Sequence, residues 1–288
     1  QRMFVIIGYV IACAMIFGGY AAAGGHLAGL WQPLEVVMIF GGALGAFVVA
    51  YGGKPLKATV KALPSIFKSS PYNKAFFMDL FALHFELLSK VRKEGLMSIE
   101  GDVESPENSP IFSKYASVVH DHHVTEFIAD YLRLLVGGNL NAFEIENLMD
   151  IEIEGHHHEA AEPSHAVSTL ADGLPAFGIV AAVMGVVHTM ENVGLPPAEL
   201  GILIAHALVG TFLGILLAYG FVGPLAKVLE ARANDSTKVY QTIKTILLAS
   251  LNGYAPQVAV EFGRKAMDGV DRPSFKELED HVKSTKGK

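Results

Sequence analysis

Two histidine-rich runs are the first places in this 288-residue chain where metal-binding side chains stand together: His120, Asp121, His122 and His123, then His156, His157 and His158. Zinc and related ions accept imidazole and carboxylate ligands, but a helical site needs them on one face, as the i, i+4 histidines of HExxH provide. Adjacent residues on a helix point in different directions, so neither run offers that face. They read as solvated surface. HExxH, GxSxG and a phosphate-binding glycine loop are absent from the sequence. The single cysteine, Cys13, sits in an apolar run with no evident base and cannot form an internal disulfide. These residues point away from covalent catalysis; the chain is expected to be no enzyme and to use no metal or cofactor.

A second set of polar groups lies in apolar surroundings: Glu35, His188, His206, Thr211 and Tyr219. An ionisable group at the centre of a membrane span costs ~2.5–3.5 kcal/mol on insertion scales, so such groups are functional suspects by default. Glu35 is read at the outer mouth of its stretch and His188 near the outer end of another, which leaves no Asp or Glu expected at mid-depth. A proton or sodium relay usually needs such a carboxylate, and a partner chain would have to supply it. Thr211 has two readings, a hydroxyl lining a pore or one bonded to its own helix one turn back. His206, five residues earlier, shares that face poorly and is expected near the outer headgroups.

The elements that carry these groups follow from composition. Residues are 51% hydrophobic and only 18% charged, and the mean hydropathy is +0.37, too apolar for an ordinary water-soluble chain. A formal charge of -7 argues against nucleic acid as a partner, since that surface needs clustered Lys and Arg. Of the 22 basic residues, one is Arg2, ten lie between Lys54 and Arg133, and eleven between Lys227 and Lys288. The gaps contain four apolar stretches, 3–23, 34–51, 174–190 and 200–226. Each has about the length a helix needs to cross the hydrocarbon, roughly 17–25 residues. The first, with its long apolar core and glycine-rich exit, reads as a retained span rather than a secretion signal.

The short links Gly24–Pro33 and Glu191–Glu199 contain no Lys or Arg, whereas Lys54, Lys57, Lys61, Lys227 and Arg232 follow the second and fourth stretches. The positive-inside rule puts both termini and the long middle segment in the cytoplasm. The expected fold is an all-α membrane protein of four transmembrane helices in two hairpins. Its parts are a first hairpin (1–51), a helical cytoplasmic domain (52–173), a second hairpin (174–226) and a cytoplasmic C-terminal helix and tail (227–288).

Within the cytoplasmic parts, Phe77, Leu80, Phe81, His84, Leu87, Leu88 and Val91 recur at helical spacing over Lys74–Lys93, and Gly95 supplies a stop. Val124–Val136 repeats the pattern before Gly137–Gly138, and Asn141 with Glu144 resembles a capping box. Pro163 is expected to interrupt the helix opened there, with Ser164–Leu174 leading into the third span. Ala226–Val260 reads as one long helix and Arg272–Lys288 as a charged, frayed end. In the spans, Gly41, Gly42 and Gly45, and likewise Gly210 and Gly214, form small-xxx-small faces that allow close helix approach. Pro175 and Pro224 stand near the cytoplasmic ends of the third and fourth spans, as hinges or as a plain helix start and end.

The stretch DGLPAFGIVAAVMGVVH at Asp172–His188, followed by AELGILIAHALVGTFLGILLAYGFVGP at Ala198–Pro224, closely resembles the MotA family, the channel-forming stator subunits of bacterial flagellar motors. FGGY at Phe17–Tyr20, ALP at Ala62–Pro64, DYLRLL at Asp130–Leu135, FEIE at Phe143–Glu146 and LNGYAPQVAVEFGRK at Leu251–Lys265 extend the resemblance over nearly the whole chain. It implies a pentameric ring in the inner-membrane bilayer around paired MotB helices, whose membrane aspartate carries the proton, the only coupling species. It also implies torque contacts to the rotor protein FliG at Arg92 and Glu100, and conformational coupling at Pro175 and Pro224. Thr211 matches a channel-facing hydroxyl, and Ala182 stands where sodium-driven relatives carry Thr. The alternatives are a sodium-driven stator or a related energiser of outer-membrane transport.

Overall fold

The computed structural model describes residues 2–138, 140–269 and 271–285. Every regular element among them is helical. Besides short 3-10 helices, these are in chain order α1 (Arg2–Ala22), α2 (Pro33–Ala50), α3 (Lys54–Ala62), α4 (Lys74–Glu94), α5 (Glu100–Glu104), α6 (Ala116–Val119), α7 (His122–Gly137), α8 (Ala142–Glu191), α9 (Pro197–Ile215), a π-helical segment (Leu216–Val222), α10 (Gly223–Leu251), α11 (Pro256–Ala266) and α12 (Phe275–Thr285). Four helical stretches are long and apolar enough to cross a membrane: α1, residues 27–50, and one within each of 142–191 and 197–251.

The chain forms two compact units, one of residues 1–69 and 161–232, the other of 70–160 and 233–288. The first holds the spans. Its α1 leaves Met3, Phe4, Val10 and Met15 more than half exposed, a surface that water would not tolerate and lipid or a neighbouring subunit would cover. Close packing is concentrated between α8 and α9, where glycines replace side chains. A Cβ on Gly178 would stand 2.9 Å from the Gly210 carbonyl oxygen, and one on Gly214 only 2.7 Å from that of Leu174. Gly185 likewise backs onto Ala207. The glycine face on α9 was legible in the sequence, whereas its counterpart Gly178 and Gly185 was not singled out. On α2, Gly42 receives the Phe177 ring, while Gly41 and Gly45 meet nothing within 4 Å.

The second unit is a water-soluble type of core. Phe81, Phe112, Tyr115, Phe127, Ile128 and Tyr131 are at most 2% exposed. Each fully buried side chain of this kind is worth about 1.5–3 kcal/mol of transfer free energy. Asn73 caps α4 by accepting the Phe76 amide at 3.0 Å, and Gly95 ends it with φ of 90°. Asp121 caps α7 and also accepts the Tyr72 hydroxyl at 2.8 Å. The capping box at Asn141 is complete: its side chain accepts the Glu144 amide and the Glu144 carboxylate accepts the Asn141 amide.

Three sequence expectations need correction. Pro163 does not interrupt a helix; it lies inside α8, buried among Ala161, Ser164 and Val167. The long helix after the fourth span ends at Leu251, because Gly253 takes φ of 85° and Pro256 opens α11. The tail is ordered into α12, where Ser274 and Glu277 form a second capping box. Of the tail, residues 286–288 lie outside the described residues.

Candidate functional site

The seam between α8 and α9 brings the span candidates together. Its glycines draw the two backbones so close that a side chain on Gly210 would crowd its neighbours. A Cβ there would lie 3.1 Å from the Ala182 amide nitrogen, 3.2 Å from the Gly178 oxygen and 3.1 Å from Oε2 of Glu35. Ala182 is half-buried at this point, and half-buried Thr211 follows Gly210 directly. Thr189 shows the self-bonded alternative, donating to the Gly185 carbonyl at 2.9 Å, but among the described residues Thr211 makes no such bond.

Glu35, in the first turn of α2, comes to the same seam. Because α2 packs with Gly42 on Phe177 and Glu35 beside Ala182, the carboxylate stands level with the middle of the stretch 174–190. Its Oε2 is buried and has no hydrogen-bond partner among the described residues. His206, one turn before Gly210 on α9, is its electrostatic neighbour. Glu35 thus sets a carboxylate against the α8–α9 seam. Sequence spacing concealed it, because Glu35 sits in the first turn of α2 and only the packing shows which level of α8 and α9 that turn meets.

Pro175 lies inside α8 and Pro224 is the second residue of α10, directly after the π-helical segment. Neither is a bare helix end. Arg92 and Glu100 are both exposed, one in the last turn of α4 and the other opening α5. Between them the chain turns at Gly95, and the Ser98 hydroxyl bonds back to the Gly95 carbonyl at 2.6 Å. Beneath, Lys90 pairs at 2.8 Å with Asp102, which is 4% exposed and also accepts the Ser109 hydroxyl. Nothing in the sequence pattern pointed to Lys90, Asp102 and Ser109 as the support of that turn.

Among the described residues no group of three or more potential metal ligands gathers. His156 instead bonds Ser236 at 2.8 Å with its ring 4.3 Å from that of Tyr240, and His157 bonds Thr237 at 3.0 Å. Burial lowers the His156 pKa, so its neutral form is favoured.

Residues 6–95 match the motility protein A N-terminal family, and residues 119–242 match the MotA/TolQ/ExbB proton channel family. Motility protein A of Salmonella typhimurium is 52% identical over 284 residues, covering 99% of this chain and 96% of that protein. The chain belongs to the MotA family. The Escherichia coli motility protein A shares the same 52% identity with the same coverage, and the Vibrio parahaemolyticus chemotaxis protein LafT is 33% identical over 98% of this chain and 99% of its own length. The fold agrees: the Campylobacter jejuni MotAB structure superposes with a TM-score of 0.77 at 22% identity, over 95% of this chain and 99% of that one. The Bacillus subtilis flagellar MotAB stator complex gives 0.72 at 23%, over 96% and 98%. The MotA family is a family of membrane-embedded stator and ion-channel subunits, and four apolar helices place this chain in a membrane with it.

Proposed function

We propose that this chain, a flagellar stator subunit, forms a proton path with a MotB-type partner and converts proton flow into torque on the rotor. The observation that carries the reading is the glycine seam, which sets Ala182, Gly210 and Thr211 side by side on adjoining spans. The surface they form takes the helix of a partner whose membrane aspartate is the proton carrier. A pentameric ring of such subunits in the inner membrane, with both termini cytoplasmic, gives that helix the same surface from each neighbour. The work is conformational, not enzymatic, and needs no cofactor beyond the coupling proton.

The energetics suit exposed charges as the output. One proton falling through 100 mV delivers ~2.3 kcal/mol, so a rotor contact must form and release on that scale. Exposed ion pairs of ~0–1 kcal/mol do so, whereas a wide apolar interface would hold fast. Arg92 and Glu100 on their stiff turn are the contacts to FliG, and Pro175 and Pro224 let the spans pass ion movement to them. The family's TolQ and ExbB members raise the second reading, an energiser of outer-membrane transport. The match to the motility protein A N-terminal family and the four spans favour the stator.

Proton over sodium rests on Ala182, which offers no hydroxyl to coordinate a metal ion. In cells that depend on this chain for motility, swimming speed should collapse with a protonophore and stay unchanged when sodium is removed. Speed that falls with sodium would assign the sodium-driven alternative.

A further inference from the structure

The fourth span changes register before Pro224. Over Leu216–Val222 it is π-helical, and the Gly223 amide donates to the Ala218 carbonyl five residues back instead of four. A π segment inserts one residue, and so one extra carbonyl, into the ladder. Pro224 removes a donor at the same place. Carbonyls therefore outnumber amide donors where the helix returns to α geometry, inside a span that lipid cannot hydrate. Hydroxyls from two other helices bond carbonyls on either side of this break. The Tyr9 hydroxyl of α1 donates to the Phe221 carbonyl at 2.7 Å, with its ring 5.1 Å from that of Phe221. Past the proline, the buried Ser164 hydroxyl of α8 donates to the Ala226 carbonyl at 2.8 Å.

Two further features fit a joint. A groove of about 500 Å³ runs beside it, lined by Gly8, Tyr9, Gly220, Pro224, Leu225 and Val228 among others, so α1 and the fourth span are not closely packed at this level. Gly223 is also required by this register and no other: a Cβ on it would stand 2.8 Å from the Ala218 oxygen that its own amide bonds. In an α turn every residue carries a Cβ without that contact.

We propose that the π-helical segment is the moving joint of the fourth span, and that Tyr9 is a positioning residue that latches it in the π register. Shift to the α register hands the ladder back its four-residue spacing and rotates the chain before Pro224 relative to the chain after it. Through its bond to Phe221, Tyr9 sets the population of the two registers. An ordinary hydrogen bond is worth about a fivefold bias in such an equilibrium. The inference rests on the stator reading only for its motility arm.

Tyr9→Phe and Gly223→Ala attack the same register from opposite sides, the first by removing the latch and the second by filling the space the π turn needs. Full-length chain carrying each change, and both, is expressed with its MotB-type partner. Hydrogen–deuterium exchange of the purified complexes and swimming speed are then measured. Tyr9→Phe is expected to change exchange in residues 216–228 by several-fold while α1, α2 and the cytoplasmic unit stay as before. Each single change should slow swimming, and the double change should be no slower than Gly223→Ala alone, because both release one register. Unchanged exchange in 216–228 in Tyr9→Phe, or effects that multiply in the double variant, would overturn the latch. Altered local exchange with normal swimming would keep the latch and count against its part in torque. If Tyr9→Phe fails to accumulate, exchange in Gly223→Ala decides: an unaltered 216–228 segment refutes the joint.

Discussion

Arg92 and Glu100 sit on a turn whose shape is set by residues that do not reach the surface. Gly95 takes φ of 90°, and the Lys90–Asp102–Ser109 network holds α5 beneath α4. The two charges are thus presented by a stiff scaffold and remain free to meet a partner. Arg92→Glu should impair swimming strongly while leaving the amount of chain in the membrane unchanged, since an exposed reversal costs folding within about 0.5 kcal/mol. Normal motility in that variant would remove Arg92 from the torque contact. A different residue governs acid stability. His84 is fully buried in α4 with Nδ1 on the Leu80 carbonyl, and desolvation lowers its pKa to about 4. The unfolded chain takes up this proton near pH 6.5, the folded one only near 4, so stability must fall as pH drops through that window, by on the order of 3 kcal/mol at most. Glu277, held at about 2 chiefly by its hydrogen bond from Lys74, loses its contribution only below the ordinary carboxylate range. Between pH 6.5 and 5 the thermal midpoint should fall less steeply for His84→Leu than for the parent, and equal slopes would contradict the assignment.

At the scale of elements, the glycine seam decides whether α8 and α9 can meet. A methyl on Gly178 would press on the Gly210 carbonyl and the Gly214 Cα, backbone atoms with nowhere to go. Gly178→Ala should therefore destabilise the purified protein by about 1–3 kcal/mol, whereas Gly41→Ala, which meets nothing within 4 Å in the chain, should not. A thermal shift of equal size in both would refute the seam. Much of this level was legible beforehand. The four spans, the Asn141–Glu144 box and the stops at Gly95 and Gly138 are local signals, written in neighbouring residues. What escaped was non-local. Pro163 stays helical because its surroundings in α8 are buried, Glu35 meets the α8–α9 seam only through how α2 packs, and the π segment has no composition of its own. Gly253 was a missed local signal, overridden by the apolar run around it.

For the molecule as a whole, the question is which acid carries the proton. Glu35 brings a carboxylate to the level of Ala182, yet its position on α2, beside His206 and against two packed backbones, marks it as part of the wall. In the function proposed above the carrier is the partner's membrane aspartate, and this chain supplies the surface along which it is loaded and discharged. The direct test is proton flux in liposomes containing the chain alone, the chain with a MotB-type partner, and the pair with either the partner's membrane Asp changed to Asn or Glu35→Gln in this chain. Flux only with the partner present, abolished by the partner's Asn and retained with Glu35→Gln, is the predicted result. Vigorous flux from the chain alone, or flux that survives the partner's Asn and vanishes with Glu35→Gln, would contradict it.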